Sequence, residues 1–364
     1  MTRMEFTTLL EEVSKRQVMV KNYLNSQRNR LAFSYRHLED AVYSYLNAGG
    51  KSLRPAVLMF ACGAVGGDEQ TAIPAAAAIE LYHTFTLVHD DIIDRDEMRR
   101  SVPTVHTEFR DRARTELGFD DPMAEHYGLA IAILAGDMQQ GWAASLLPDL
   151  YQTYGIPAEL ALRLVTELFN RTQVTLINGE TIDIRQSQTP VEELHEHDVL
   201  DMLWKKTGIL YEFAGRAGAA IGLREADLNH PLVEAVSAFT SKCGIAFQIQ
   251  DDILGLTAQT DKLGKPVGSD IREGKRTVIL LHALQNMASV DREFVLSVVG
   301  NSNAEGAKVD QAITLIREAG GIEHARSLAE EYVSAALTHL DPIHDSDYKR
   351  LLISWAHYIT SREI

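Results

Sequence analysis

Apolar residues recur at helical spacing along most of the chain. Phe6, Leu9, Leu10 and Val13 lie three to four positions apart with charges between them, which predicts an amphipathic helix over residues 4–25. A second helix is predicted over 31–47, stopped by Gly49-Gly50. The loop Lys51-Ser52-Leu53-Arg54-Pro55 follows, with Pro55 placed in the first turn of a helix that runs to Val65. From 71 to 96 the pattern is long, alanine-rich and free of breakers after Pro74, so it reads as one helix. Residues 97–125 read as polar and irregular. Further helices are predicted over 126–147, 157–186, 191–222 and 231–256, then a glycine-spaced loop over 257–276. Helical spacing resumes over 277–289, 306–341 and 346–361. No alternating run is long enough to specify a sheet. No solenoid-length repeat or low-complexity linker divides the chain. The expectation is a single all-α domain, residues 1–364, of about ten or more helices.

Composition changes this picture little, but charge sharpens it. Hydrophobic residues make up 45% and charged residues 24%, ordinary for a globular protein with a sizeable core. The net charge of −16 argues against non-specific nucleic-acid binding, which draws on a basic surface. An acidic protein that handles an anion must gather Lys, Arg or metal ions at one place. Cys62 and Cys243 sit in apolar contexts and read as buried thiols in a reducing compartment. The N-terminal residues lack a signal-peptide layout, and no apolar run reaches the ~18 residues of a membrane span. The reading is a cytoplasmic, soluble protein that does not span a membrane.

Two acidic clusters stand out. The stretch Leu81–Asp94 is an apolar run that ends in Asp90, Asp91 and Asp94. Residues four apart share a helix face, so Asp90 and Asp94 point the same way, with Asp91 about 100° round. Like charges on one turn repel, and near a helix C-terminus they also oppose the dipole. A solvated helix end would explain one such cluster. A second apolar run, however, closes in Gln248-Ile249-Gln250-Asp251-Asp252. A hard divalent cation between the carboxylates makes sense of both, since Mg²⁺ takes one or two carboxylates and completes its shell with water and phosphate oxygens. The reading is two clusters facing one cavity and holding metal for a diphosphate.

The cations fit an anionic ligand. Lys51 and Arg54 follow a Gly-Gly pair, Arg99 and Arg100 follow the first cluster, and Lys205-Lys206-Thr207 lies in an apolar helix. Lys265 and Lys275 follow the second cluster, and His83 lies two turns before Asp90. Each alone reads as a surface charge, and His83 alone as a satisfied core residue. Together they would let basic side chains hold one anionic group and metals another. No nucleophile elbow, Walker A loop or HExxH zinc motif is present. The inventory suits ionisation of a diphosphate ester, with an apolar cavity sheltering the resulting cation from water.

Several ordered motifs resemble those of the trans-isoprenyl diphosphate synthases (polyprenyl synthetases). Gly49-Gly50-Lys51-Ser52-Leu53-Arg54-Pro55 resembles the family's GGKxxRP. Asp90-Asp91-Ile92-Ile93-Asp94 with Arg99-Arg100 resembles its first aspartate-rich motif, and Lys206-Thr207-Gly208 its KTG element. Phe247-Gln248-Ile249-Gln250-Asp251-Asp252 resembles its second aspartate-rich motif, and Gly264-Lys265, Gly268-Ser269-Asp270 and Lys275 the loop beyond. The resemblance implies the all-α isoprenoid synthase fold around a central cavity and head-to-tail 1′-4 condensation. It also implies three Mg²⁺ ions per active site, with Mn²⁺ able to substitute, and a homodimer. By position, Asp90 and Asp94 would ligate two metals and Asp251 the third, supported by Asp91, Asp252 and Asp270. Lys51, Arg54, His83 and Arg100 would hold isopentenyl diphosphate. Arg99, Lys206, Lys265 and Lys275 would hold the allylic diphosphate, with Thr207 and Gln248 nearby.

The chain also departs from the family pattern. Ser101 stands where glycine is usual, Gly255 where a third aspartate would stand, and Asn178-Gly179-Glu180…Asp183 replaces a Gly-Gln…Asp pattern. Phe85 and Thr86 lie five and four residues before Asp90, one turn and more deeper, and are the candidate floor that limits product length. That combination resembles archaeal-type geranylgeranyl diphosphate synthases, which take dimethylallyl, geranyl or farnesyl diphosphate as primer. Alternatives are a farnesyl or longer product, a class I terpene cyclase and a non-catalytic synthase subunit. A cyclase would not need the Lys51/Arg54 site, and a subunit would be expected to lack one of the aspartate clusters.

Overall fold

The helical periodicity is realised along nearly the whole chain. The computed structural model describes residues 3–99, 102–257 and 267–362, side chains of 3–5 and 29 excepted. The chain divides into two compact units, residues 2–165 with 217–230 and the remainder.

The first unit begins with α1 (Arg3–Gln27), α2 (Arg36–Ala48), α3 (Leu53–Ala64) and α4 (Ile73–Ile93). Two-residue strands β1 (Met98–Arg99) and β2 (Val102–Pro103) pair antiparallel. Then come α5 (Val105–Leu117), α6 (Asp121–Leu146), α7 (Asp149–Gln152) and α8 (Ala158–Thr166). The central element is α4, packed against α1, α3 and α6. Its buried Ala75–Ala78 stretch lets neighbouring backbones approach, while Tyr82, Phe85 and Val88 fill the space further along.

Residues 97–125 are not irregular. They contain α5, whose buried stripe rests on Val105, Phe109 and Ala113, each four apart. Six charged residues among thirteen hide that narrow stripe from a periodicity reading. The start of α6 lies at Asp121 rather than 126, where the Asp120 side chain caps the N–H of Met123 and Pro122 occupies the first turn.

In the second unit a π-helical stretch, Glu167–Gln173, leads into α9 (Val174–Gln188). α10 (Glu196–Leu203) passes through a second π-helical stretch, Trp204–Gly208, into α11 (Ile209–Leu223), whose residues from 217 onward belong to the first unit. There follow α12 (Pro231–Thr257), α13 (Ser269–Glu273), α14 (Val278–Asn286), α15 (Ser289–Val298), α16 (Gly306–Glu318), α17 (Gly321–Leu337) and α18 (Asp347–Ser361). Here α12 is central, packed by α17, α18 and the Trp204–Gly208 stretch. Trp355 of α18 meets Tyr211 and Phe239 with ring centroids 5.2 and 5.9 Å away.

Sequence and structure differ at three places in this unit. The single helix expected over 306–341 divides at Gly320, whose φ of +80° no helix accommodates. The helix expected from 191 begins at Glu196, after a short 3₁₀ turn. α13 and α15 stand where no helix was expected; residues 258–266 of the expected loop lie outside the described residues. No described helix is long and apolar enough to cross a membrane.

Candidate active site

The first carboxylate cluster sits where α4 stops. Arg95 adopts a left-handed conformation (φ +60°), the Arg95 N–H bonds the carbonyl of Ile92, and the Asp96 N–H reaches back to Asp91 at 2.9 Å. This is a Schellman closure, with an arginine at the position glycine usually takes. Asp94 is the C-cap and keeps helical angles, so Asp90 and Asp94 share a face as their spacing predicts.

Asp91 behaves differently from its neighbours. Its carboxylate is fully buried. The Arg99 Nε donates to both its oxygens at 2.8 and 2.9 Å, Arg99 Nη2 adds a third bond at 2.5 Å, and the Tyr45 hydroxyl donates to Oδ2. Burial pushes the Asp91 carboxyl up, and the bonds from Arg99 and Tyr45 pull against it. Burial likewise disfavours the Arg99 charge, but Asp91 more than offsets this and the guanidinium holds its proton more firmly than usual. Asp91 is therefore turned inward as a partner of Arg99, which the resemblance had assigned to substrate. Arg99 Nη2 also lies 3.7 Å from Asp90 Oδ2.

The same unit gathers Arg54 and His83. Arg54 Nη1 donates to His83 Nε2 at 3.1 Å. Ser52, left-handed at φ +44°, starts α3 and donates to Glu80 at 2.8 Å, while Lys51 stands exposed just before it. Phe85 is 6% exposed and meets Tyr82 and His89 edge-on, with centroids 4.7 and 5.6 Å away. Thr86 turns its hydroxyl back to the carbonyl of His83 at 2.7 Å.

The second cluster is built on the last turns of α12. Asp251 accepts from Arg362 Nη2 at 2.5 Å, and its side chain is 40% exposed. Arg362 is itself buried, lies 3.8 Å from the Phe247 ring centroid and donates to the Phe247 carbonyl at 2.9 Å. Gln250 holds the Arg362 carbonyl at 3.1 Å. Asp252 is buried, and burial pushes its carboxyl well up, helped by the Asp270 carboxylate. The Asp270 carboxylate lies against Gly255, where a Cβ would stand 3.0 Å from Asp270 Oδ2. Asp270 from α13 thus occupies the space a third aspartate on α12 would have claimed. Lys275 lies 2.9 Å from Glu273 and 3.7 Å from Asp270.

A polar chain links this cluster to the Trp204–Gly208 stretch. Thr207 donates to Gln248 at 3.0 Å, and Gln248 donates to Asp252 at 3.1 Å. Lys206 is held by Asp183 and Glu180 at 2.6 and 2.9 Å. A Cβ on Gly179 would stand 2.4 Å from the backbone nitrogen of Lys206, so only glycine admits α9 this close. The departure Asn178-Gly179-Glu180…Asp183 is thereby a matched cradle for Lys206. Buried Glu212 braces the start of the stretch, accepting from Trp204 Nε1 and Ser241 at 3.0 Å each. π-Helical turns often mark functional positions, because the extra residue redirects side chains.

Among the described residues no three His, Cys, Asp or Glu side chains close into a metal cage of their own. The donors present suit Mg²⁺ nonetheless: hard carboxylate oxygens, one or two to a turn, with phosphate oxygens to complete the shell. Asp252, Asp270 and Asp251 crowd like charges that a cation would relieve. Arg100, Lys265 and Ser101 lie outside the described residues. Three participants were not legible from the motifs: Tyr45, Arg362 and the Glu180/Asp183 pair as a lysine cradle. Only the last left a sequence signal, in its altered pattern.

The comparisons with known proteins agree with this chemistry. A family model described as Polyprenyl synthetase matches residues 35–316. The chain is 36% identical to a geranylgeranyl diphosphate synthase of Sulfolobus acidocaldarius over 84% of both chains. It is 34% identical to a geranylfarnesyl diphosphate synthase of Natronomonas pharaonis over 87% of both. It superposes with TM-score 0.83 on a geranylgeranyl pyrophosphate synthase of Corynebacterium glutamicum solved with isoprenyl diphosphate and magnesium, at 27% identity over 97% of this chain and 98% of that one. With fold, motifs and likeness in accord, the chain belongs to the polyprenyl synthetase family, all-α prenyltransferases that condense isopentenyl diphosphate head-to-tail with an allylic diphosphate.

Proposed function

We propose that this enzyme makes geranylgeranyl diphosphate, elongating dimethylallyl, geranyl or farnesyl diphosphate and releasing pyrophosphate. The observation that carries the product length is Phe85, a buried aromatic on α4 one turn and more beneath Asp90, braced by Tyr82 and His89. A chain growing past it would have to displace a packed ring.

In this reading Asp90 and Asp94 bind two Mg²⁺ ions and Asp251 a third, with Asp252 and Asp270 behind it. Metal bound there would take up charge on the diphosphate as the allylic C–O bond breaks. Lys51, Arg54, His83 and Arg100 hold isopentenyl diphosphate, and Arg99, Lys206, Lys265 and Lys275 hold the allylic diphosphate. Thr207 and Gln248 fix the Lys206 stretch against Asp252. Apolar walls keep water from the allylic cation until the isopentenyl double bond attacks it. The proton lost next passes to the departing pyrophosphate, so no side-chain base is assigned.

The family match across 35–316 supports reading the chain as one catalytic domain. Exposed Ile133 and Leu134 on α6 support a homodimer, and the buried free thiols Cys62 and Cys243 support a cytoplasmic setting.

The test is incubation of purified protein with Mg²⁺, an allylic diphosphate and labelled isopentenyl diphosphate, followed by analysis of the lipid products. A labelled C20 product is expected, and Phe85→Ala should release longer chains. An unchanged product spectrum for Phe85→Ala removes Phe85 as the floor. Absence of label in any product overturns the synthase reading, and a cyclised hydrocarbon from the allylic substrate alone would favour a cyclase.

A further inference from the structure

We propose that Tyr45, on α2, is a positioning residue for the allylic diphosphate, acting through Asp91 on Arg99. This rests on the reading of Arg99 as an allylic-diphosphate ligand. The link is visible atom by atom. The Tyr45 side chain is buried, and its hydroxyl is aimed at Asp91 Oδ2. The hydroxyl is the donor of that bond, because a carboxylate oxygen held by a guanidinium can only accept. Asp91 takes that bond and three N–H contacts from Arg99. A carboxylate offers about four acceptor sites, so these four contacts account for all of them.

The consequence is a guanidinium with no freedom to swing. Arg99 spends Nε and Nη2 on Asp91, which fixes the plane of the fork and holds Nη2 3.7 Å from Asp90 Oδ2. The side chain keeps 17% exposure, so part of this rigid donor set still meets solvent. Arg99 stands at the end of a loop and on a two-residue strand, neither of which would hold a long side chain still. The anchor comes instead from α2, 46 residues before Asp91, through a single hydroxyl. Without that oxygen, Asp91 has an unsatisfied buried acceptor and can turn about its last torsion, taking the Arg99 fork with it. Tyr45 touches no substrate in this scheme; it sets the direction in which Arg99 presents its donors.

The test is Tyr45→Phe, which removes one oxygen and keeps the ring. Steady-state kinetics would be run with geranyl diphosphate and isopentenyl diphosphate varied separately, alongside thermal unfolding. The expected result is a rise of about tenfold in KM for geranyl diphosphate, the size of one lost bond to a charged group. KM for isopentenyl diphosphate and kcat should stay within about twofold, the signature of lost binding that is uniform along the reaction. A merely structural tyrosine would shift both KM values together, whatever the change in unfolding temperature, and that result overturns the proposal. Asp91→Asn alters the same link from the other side and should raise the allylic KM at least as far; no change there overturns it as well. Arg99→Lys separates the two layers. If it leaves the allylic KM alone, the reading of Arg99 fails; if it raises that KM while Tyr45→Phe does not, only the role of Tyr45 fails.

Discussion

The two carboxylate clusters handle their buried charge by different routes. In the first, the inner acid, Asp91, is fully buried and neutralised by an arginine only eight residues away, with Tyr45 completing the shell. Asp90 and Asp94 are left on the common face. In the second, the leading acid, Asp251, meets an arginine 111 residues away, while the buried Asp252 accepts from the amide of Gln248 and faces Asp270. The first cluster is a local device that balances its own charge. The second is assembled from α12, α13 and the residue that follows α18, and one of its acids stays costly to ionise. A buried carboxylate matched by a guanidinium and one matched by an amide respond oppositely to the same substitution.

The largest expected effects do not separate the clusters and set the scale. Asp90→Ala, Asp94→Ala and Asp251→Ala should each lower kcat by about a hundredfold to a thousandfold, as loss of an electrostatic stabiliser at a developing charge does. If Asp251→Ala retained near-normal kcat, the second cluster would be structural only. Next comes Asp91→Ala, which leaves the largely buried Arg99 with the more distant Asp90 carboxylate, 3.7 Å away, in place of its close counter-charge. It should cost about 3–5 kcal/mol in chemical denaturation, because a poorly compensated buried charge is among the most destabilising changes.

Arg362→Met should be milder, at about 1–2 kcal/mol, since it leaves Asp251 partly in water and keeps an apolar stem against Phe247. A loss as large as that of Asp91→Ala would erase the contrast between the clusters. The smallest change belongs to Asp252→Asn in metal-free protein, where stability at neutral pH should stay equal or rise by up to about 1 kcal/mol. The sign follows from linkage. Burial raises the folded-state pKa of Asp252 above the ordinary value of 3.8, so the folded state holds the proton through that window. Stability contributed by this group therefore falls as pH rises from about 3.8 through the folded pKa, and Asp252→Asn should flatten that slope in unfolding curves measured across pH with a chelator present. Asp91→Asn, by contrast, should destabilise under the same conditions.

Much of this was legible before any coordinates. The long apolar helices, their punctuation by Gly49-Gly50, Pro74 and Pro190, and the acids that end α4 and α12 follow from periodicity and residue type, which act within a few turns of chain. So does the shared face of Asp90 and Asp94. The short helix α5 escaped because its buried stripe is three residues wide, and the split at Gly320 because a single glycine is tolerated in many helices. The motifs named Arg99 and Lys206, but not what holds them. Tyr45, Arg362 and the Glu180/Asp183 cradle reach their partners across 46, 111 and 23–26 residues. No local rule encodes such pairs, because burial and hydrogen-bond geometry at those atoms exist only once the helices have packed. Sequence determined where the acidic and basic side chains of the motifs stand along the chain; tertiary structure decided that Asp91 and Asp251 each meet an arginine while Asp252 is buried against an amide, because only packing brings a buried charge and its counter-charge together.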